Sequence, residues 1–230
     1  EKAGARVKSQ VICNLTSQSI QESVQNIARS LKESQILMLA GGFSAGDEPD
    51  GSGRFISQFF RNQRLKDEVH EFLQRGGLIL GICNGFQALV KLGLVPYGEI
   101  RDFHQLEVTL TSNIGRRHLA RYVDTQVTST LSPWMNKTNI DDVHRLPISH
   151  GEGRVYFSNP ELLKELWAKG QIATRYVNNP NGSAFDIEGM SSPDGRILGK
   201  MAHSERVGKN VCRNVGGNWN QNLFKAGVCY

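Results

Sequence analysis

The chain has 230 residues, of which 39% are hydrophobic and 21% are charged, and its formal net charge is +5. This length and composition are typical of one α/β domain with a sizeable core, and no apolar run is long enough to span a membrane. The arginines are scattered without interleaved aromatic residues, so we expect no nucleic-acid partner. The four cysteines do not have the spacing of metal ligands, and for a chain of this size they are too few for a disulfide framework. We therefore expect a reducing, cytoplasmic location.

The first half of the chain alternates predicted helices with predicted strands. Apolar residues at helical spacing predict one helix that begins after Thr16 or Ser17 and another over 54–74. Short apolar runs predict strands at 36–40 and 78–82, both buried, and a small one at 11–15. Two strands joined by a helical crossover favour a parallel sheet with its ligand site at the carboxyl ends of the strands.

Cys83 lies where the strand at 78–82 gives way to a helix. Gly81 and Gly85 flank it in the pattern Gly-x-Cys-x-Gly, which mirrors the Gly-x-Ser-x-Gly turn of hydrolases. Such a turn exposes the sulfur, and a helix N-terminus favours the thiolate. A cysteine that merely fills the core is the alternative, but the two glycines and the polar Asn84 favour a nucleophile.

Two further segments are candidates for chemistry. The glycine-rich run 41–47 follows the strand at 36–40 and could form a nest of backbone amides for an anion, although glycines required only by a turn are an equal alternative. A His-Gly-Glu-Gly cluster at 150–153 lies at a turn beside a strand and resembles a functional loop. Taken alone, His150 is better explained as a hydrogen-bonded structural histidine.

The second half of the chain has the alternating pattern of antiparallel strands. That pattern predicts strands at 107–110 and 122–127 separated by a loop, and a strand at 172–177. Pro193-Asp194-Gly195 predicts a hairpin turn between a strand near Ile187 and a strand at 197–201. Helices are predicted from Asn159 to Gly170 and over 219–230.

His203 and Glu205 follow the last predicted strand. A cysteine nucleophile needs a base to take its proton, and the base needs an acidic partner that orients its ring. Two residues apart on an extended segment, these side chains can point to the same side. In a parallel sheet, the end of this strand would come close to Cys83.

These segments together resemble class I glutamine amidotransferases. The resemblance is carried by Gly-Gly-Phe-Ser at 41–44, Leu-Gly-Ile-Cys-Asn-Gly-Phe-Gln at 80–87, Ser-His-Gly-Glu-Gly-Arg at 149–154, Asn-Pro-Asn-Gly-Ser at 179–183 and His-x-Glu-Arg at 203–206. It extends through essentially the whole chain, and it is greatest for the glutaminase domains of phosphoribosylformylglycinamidine synthases. The implied fold is a flavodoxin-like three-layer α/β domain over 1–230, with a mostly parallel sheet flanked by helices and a small antiparallel excursion.

The resemblance also implies roles for individual residues. Cys83 would attack the carboxamide carbon of L-glutamine and form a thioester, with His203 as base and acid and Glu205 as its orienting partner. The remaining implied site residues are the oxyanion-hole donors Gly42, Phe43 and Asn84 and the glutamine-binding residues Ser44, Gln87, His150, Gly151 and Glu152.

By the same resemblance, the ammonia is used by a synthetase domain or subunit. That partner would bind ATP and magnesium and convert formylglycinamide ribonucleotide to the amidine. No cofactor or metal is expected in this domain itself.

The chain departs from the family pattern in two places. The family usually reads Met-Pro-His-Pro-Glu-Arg, whereas this chain has Ala202 and Ser204 on either side of His203, so two prolines that would stiffen the loop are absent. The family also begins with a strand and a turn that would precede Glu1. We therefore expect the intact protein to be larger than 25.6 kDa, as the C-terminal part of a longer synthase.

Two alternatives of other classes remain open. One is a cysteine hydrolase or peptidase-like protein on the same sheet, against which Gln87 and the loop at 150–153 argue. The other is a non-catalytic regulatory domain that keeps the fold, and the absent prolines favour it slightly.

Overall fold

The structure is a computed structural model, and it describes residues 1–42, 53–208, 210–211 and 213–230. The described helices are α1 (Ser17–Glu33), α2 (Arg54–Phe60), α3 (Gln63–Gln74), α4 (Asn84–Leu92), α5 (Leu94–Tyr97), α6 (Pro160–Ala168) and α7 (Leu223–Val228). The described strands are β1 (Ile36–Leu39), β2 (Leu78–Ile82), β3 (Val108–Ser112), β4 (Leu119–Val127), β5 (Val143–His150), β6 (Glu152–Phe157), β7 (Ile172–Tyr176), β8 (Ile187–Ser191) and β9 (Ile197–Lys200). Short 3₁₀ turns lie at Phe103–Gln105, Pro133–Met135 and Ala184–Asp186.

Seven strands form one mixed sheet in the order β1-β2-β9-β8-β7-β4-β5. β2 pairs in parallel with β1 and with β9, whereas the other neighbouring strands of this sheet pair antiparallel. The α/β class is therefore confirmed, but the antiparallel part is larger than the small excursion that we predicted. The reason is that β8, β7, β4 and β5 extend the parallel sheet itself instead of forming a separate unit.

β3 and β6 form a second, two-stranded antiparallel sheet. The strands predicted at 107–110 and 122–127 therefore exist, but they belong to different sheets. β3 pairs with β6, and β4 pairs with β5 and β7. Alternating sequence patterns predict strands without identifying their partners, because many registers satisfy the same alternation.

Helices pack against the sheet through their predicted apolar faces. The Thr16 side chain caps α1 in a capping box with Ser19, and the buried face of α1 lies against α3. α4 contacts β2, β9, α2 and β3, so it lies at the centre of the fold. The buried residues of this region form one large hydrophobic cluster.

Several predicted boundaries were wrong. The segment 11–15 forms no strand, and the helix predicted over 54–74 is two helices, because Asn62 leaves the helical conformation and caps α3 with its side chain. The C-terminal helix is shorter than predicted. β1 is only partly buried, with Met38 40% exposed, since among the described strands it pairs with β2 alone.

No helix in the described ranges combines the length and the hydrophobicity that crossing a membrane requires.

Candidate active site

Cys83 occupies the turn between β2 and α4. Its backbone has φ 53° and ψ −108°, a conformation that residues with a side chain rarely adopt and that is typical of strained functional positions. The predicted strand-to-helix turn is therefore present. The backbone N–H of Cys83 donates a hydrogen bond of 2.8 Å to the carbonyl of Lys200, which ties the turn to the end of β9.

The glycines on either side of Cys83 are required by close packing. A methyl group on Gly81 would lie 2.5 Å from Cδ1 of Leu89, and a methyl group on Gly85 would collide with the backbone carbonyl of Leu39 in β1. α4 can therefore start immediately after β2 and lie directly against β1 only because both positions lack a side chain.

The Cys83 side chain is buried, contrary to the expected exposure of the sulfur. It is 4% exposed, and its thiol lies 3.7 Å from the carbonyl oxygen of Ser149, at the end of β5. A strand-to-helix turn directs the side chain out of the sheet, but here the end of β5 covers it. The sulfur therefore faces a site that protein atoms enclose.

His203 and Glu205 come together beyond the end of β9. The ring Nδ1 of His203 lies 2.5 Å from Oε1 of Glu205, and the His203 side chain is buried. With a proton on Nδ1 shared with the carboxylate, Nε2 has its lone pair available, and it makes no hydrogen bond to any residue in the described ranges. A Glu–His pair of this kind suits a general base.

The carboxyl group of Glu205 is held in its charged form. Burial alone would raise its pKa, but the hydrogen bond with His203, together with the nearby Arg206 guanidinium, lowers the pKa below its ordinary value. Glu205 therefore stays ionised at neutral pH and can stabilise a proton on the imidazole.

Gly41 separates the candidate base from the candidate nucleophile. A methyl group on Gly41 would lie 2.8 Å from Cε1 of His203 and 3.4 Å from Cβ of Cys83. The two side chains therefore flank one glycine, although they are far apart in the sequence. Their approach follows from the pairing of β2 with β9, in which Ile82 is the register partner of Lys200.

Gln87 and the loop after β5 form the other side of the site. The side-chain amide of Gln87 donates a hydrogen bond to the backbone carbonyl of Glu152, and both residues are buried. Gln87 lies one helical turn after Cys83, so it faces the same region. The structure thus brings together Cys83, Gln87 and the segment 149–152, which joins the end of β5 to the start of β6.

The predicted oxyanion-hole residues are described only in part. Gly42 follows β1 with φ 152°, a conformation that glycine adopts readily. The side chain of Asn84 accepts a hydrogen bond of 2.7 Å from the backbone N–H of Gly53. Phe43 and Ser44 lie outside the described residues.

Four residues at the site were not among the predicted site residues. Asn113 is buried and holds His150 by two contacts, 3.1 Å to the ring Nδ1 and 2.9 Å to the backbone carbonyl. Gly41 packs against the candidate catalytic pair. Lys200 and Glu188 are buried beside the loop that carries His203. No local sequence signal marks Asn113, Lys200 or Glu188, since each depends on contacts between distant strands.

No metal site is evident in the parts of the chain that the structure describes. Those ranges contain no cluster of three or more histidine, cysteine, aspartate or glutamate side chains arranged to hold an ion. The side chains that converge on the site are a thiol, an imidazole, a carboxylate and amides. They suit nucleophilic catalysis on a carbonyl group.

Comparison with known proteins gives a consistent result. The model of the CobB/CobQ-like glutamine amidotransferase domain family matches residues 1–230. The phosphoribosylformylglycinamidine synthase subunit PurQ of Prochlorococcus marinus is 37% identical over 177 residues, which are 77% of this chain and 72% of that protein. The subunit of the same name from Synechococcus elongatus is 36% identical over 191 residues, 82% of this chain and 78% of that protein.

A solved structure of PurLQS from Thermotoga maritima is also similar. One of its chains has a TM-score of 0.66 and 28% identity, covering 85% of this chain and 79% of that chain. The predicted resemblance is thus confirmed in sequence and in fold. The chain belongs to the CobB/CobQ-like glutamine amidotransferase domain family.

Proposed function

We propose that the chain is the glutaminase component of a phosphoribosylformylglycinamidine synthase and that Cys83 is its nucleophile. The observation that carries the proposal is the convergence of Cys83 with the His203–Glu205 pair on either side of Gly41. The identity to relatives named as PurQ subunits supports the choice of this amidotransferase over others.

The reaction proceeds in two halves. Nε2 of His203 takes the thiol proton of Cys83, and the sulfur attacks the carboxamide carbon of glutamine to form a tetrahedral intermediate. The intermediate collapses as the C–N bond breaks and His203 protonates the leaving ammonia, which leaves a thioester on Cys83. His203 then takes a proton from water, whose oxygen attacks the thioester, and glutamate leaves as the proton returns to the sulfur.

The backbone amides near Gly42, Phe43 and Asn84 are the proposed donors to the oxyanion of both tetrahedral intermediates. Backbone donors aimed at the developing charge need no reorganisation during the reaction, and the loss of one such donor typically costs about 10²–10³ in kcat. Asn84 is the first residue of α4, so its backbone N–H lies at the N-terminus of the helix directly after Cys83.

We assign glutamine binding to Ser44, Gln87, His150, Gly151 and Glu152. The contact of Gln87 with the Glu152 carbonyl supports this assignment, because it joins α4 to the start of β6, two residues after the end of β5 that covers the sulfur. Such a pocket can bind the amino-acid end of glutamine while its carboxamide reaches Cys83.

The partner is a synthetase that binds ATP and magnesium and converts formylglycinamide ribonucleotide to the amidine. Ammonia released into water is protonated and diluted, so a glutaminase of this kind is useful only when joined to an enzyme that consumes ammonia. We place the complex in the cytoplasm, since a thiol nucleophile needs a reducing compartment.

A glutamine-like diazo-ketone amino acid tests the proposal. The intact enzyme, with its synthetase, is incubated with the reagent and the adduct is mapped by peptide mass spectrometry. We expect labelling at Cys83 that glutamine prevents, retained in a Cys229→Ala variant and lost in Cys83→Ala. Labelling that glutamine does not prevent would favour a cysteine hydrolase, and the absence of labelling would favour a non-catalytic domain.

A further inference from the structure

The loop that carries His203 rests on a buried ion pair between β8 and β9. Lys200 is the last residue of β9 and Glu188 lies in the neighbouring strand β8, and both side chains are fully buried. The ammonium Nζ of Lys200 lies 3.4 Å from Oε1 of Glu188. Neither residue has a role in the proposed reaction, so the pair requires a separate explanation.

The pair binds the residue before His203 at both of its backbone polar groups. The N–H of Ala202 donates to Oε1 of Glu188 at 2.6 Å, and the carbonyl of Ala202 accepts from Nζ of Lys200 at 3.0 Å. The second carboxylate oxygen of Glu188 accepts from the Thr174 hydroxyl at 2.5 Å. Ala202 is therefore held between the two members of the ion pair.

Lys200 also binds the residue after His203. Its Nζ donates to Oγ of Ser204 at 3.0 Å, and that hydroxyl donates to Oε1 of Gln221 at 2.8 Å. The ammonium thus donates hydrogen bonds to the Ala202 carbonyl and the Ser204 hydroxyl and forms an ion pair with the Glu188 carboxylate. The residues on either side of His203 are fixed by one buried cation.

Stability alone does not account for this arrangement. A buried ion pair can often be replaced by apolar residues of similar volume without loss of stability, because removing two charges from water is costly. The pKa of Lys200 reflects this cost. Burial lowers that pKa even though the nearby Glu188 carboxylate acts to raise it. An apolar pair could fill the same space, but it could not bind the backbone of Ala202 or the hydroxyl of Ser204.

We propose that Lys200 and Glu188 are positioning residues that hold the imidazole of His203 in line with Glu205 and Cys83. The inference rests on the proposed function, since it assigns the pair a role through His203. Ala202 and Ser204 stand where the resembled family pattern has prolines, so in this chain a hydrogen-bonded clamp takes the place of proline rings. A proline at 202 could not donate to Glu188, because it has no N–H.

The decisive variant is Lys200→Met combined with Glu188→Gln. It removes both charges together, so no unpaired charge is left buried, and it removes both donors that Lys200 supplies to the loop. We expect a melting temperature close to that of the unchanged enzyme. We also expect kcat for glutamine hydrolysis, measured with the synthetase present, to fall by about tenfold or more, since small misplacements of catalytic groups are costly. KM for glutamine should change by less than about twofold, because glutamine touches neither residue.

The matched control is Lys32→Met with Glu68→Gln, which removes the ion pair between α1 and α3, where Glu68 is likewise buried. It should leave kcat unchanged. A second readout is the Nδ1–H proton of His203, followed by NMR with ¹⁵N-labelled histidine. Its resonance lies far downfield when the bond to Glu205 is short, and it should move or broaden in the Lys200/Glu188 variant only.

Each outcome decides the question. A folded double variant with unchanged kcat and an unchanged Nδ1–H resonance overturns the clamp, whereas full activity of His203→Ala overturns the proposed function itself. If the double variant does not fold, Ser204→Ala replaces it, since it removes one acceptor of Lys200 without exposing or burying a charge. In that case a kcat lowered about threefold or more at constant KM supports the clamp, and an unchanged kcat overturns it.

Discussion

The parallel strands β1, β2 and β9 and the antiparallel strands β8, β7, β4 and β5 contribute differently to the candidate site. β2 and β9 are buried throughout, and the residues that follow them are Cys83 and, after a short loop, His203. β5 alternates between buried and partly exposed residues, and its C-terminal end covers the sulfur. Groups suited to chemistry follow the parallel strands, whereas the contacts that orient and cover them come from the antiparallel strands.

β9 belongs to both parts, because it pairs in parallel with β2 and antiparallel with β8. Cys83 is bound to Lys200 through the backbone on the parallel side, and Glu188 is bound to Lys200 through side chains on the antiparallel side. The proposed nucleophile and base therefore come together beside β9, the strand at which the pairing changes from parallel to antiparallel. The comparison indicates that removing a group from the parallel part should abolish activity, while changes in the antiparallel part should weaken binding or positioning.

The largest effect should come from Cys83→Ala. We expect kcat for glutamine hydrolysis to fall by about 10⁴ or more, because neither base nor oxyanion donors can replace the sulfur. The melting temperature should stay within a few degrees, since the change removes one small buried atom. Cys13→Ala, which alters a cysteine whose backbone binds Ser23 of α1, is the control and should retain full activity. Substantial residual activity in Cys83→Ala would contradict the assignment.

The packing of the parallel part is tested by Gly85→Ala. The added methyl group meets the backbone carbonyl of Leu39, so we expect the free energy of unfolding to fall by about 1–3 kcal/mol as β1 and α4 separate. Gly115→Ala is the matched control, because a methyl group there meets no atom within 4 Å. Denaturant titration of both variants measures the difference, and equal stabilities would show that α4 does not need this close approach.

Asn113→Ala tests how the end of the antiparallel strand β5 is supported, because Asn113 follows β3 and binds His150, the last residue of β5. Its loss removes two hydrogen bonds to His150, so the loop that lines the proposed glutamine pocket loses its support. We expect KM for glutamine to rise about five- to tenfold, equivalent to about one hydrogen bond, with kcat lowered less than about threefold. Asn139→Ala, at an exposed turn, serves as the control. A fall in kcat at constant KM would place Asn113 in the chemical step instead.

The smallest expected effect concerns stability at acid pH. Because the pKa of Glu205 is lower in the folded chain than in the unfolded one, its carboxylate stabilises the fold above the unfolded value of about 4.5. This contribution is lost as the pH falls through the lower pKa of the folded state. Thermal melts between about pH 7 and pH 3 should therefore show a shallower acid decline for Glu205→Gln than for the unchanged chain.

The exposed Glu161 provides the control for that measurement. It pairs with Lys164 on the surface of α6, so Glu161→Gln should leave the acid decline unchanged. An identical decline in Glu205→Gln would mean that the His203–Glu205 contact contributes nothing to the pH dependence of stability.

Local sequence patterns predicted much of the structure of the parallel part. The run at 78–82 has the bounds of β2, and the Gly-x-Cys-x-Gly pattern predicted the turn at Cys83, because buried strands and tight turns leave residue-level signals. The pairing of His203 with Glu205 followed from their spacing after a strand. These features depend on neighbours within a few residues.

The antiparallel part was predicted less well. β3 and β4 were correctly expected to be strands, but their partners β6, β5 and β7 lie far along the chain, and alternation does not select among them. For the same reason, Asn113 and Glu188 were not predicted as site residues. Asn113 contacts His150, and Glu188 contacts the loop that carries His203, only after the strands have paired.

The sequence by itself determined the α/β class, the family, and the identity of a thiol, an imidazole and a carboxylate suited to act together. Only the tertiary structure decided that the sulfur of Cys83 is covered, that Gly41 separates it from His203, and that Lys200 and Glu188 hold the His203 loop. The physical reason is that propensity and spacing act locally, whereas burial and hydrogen bonding between strands are set by the packing of the whole sheet.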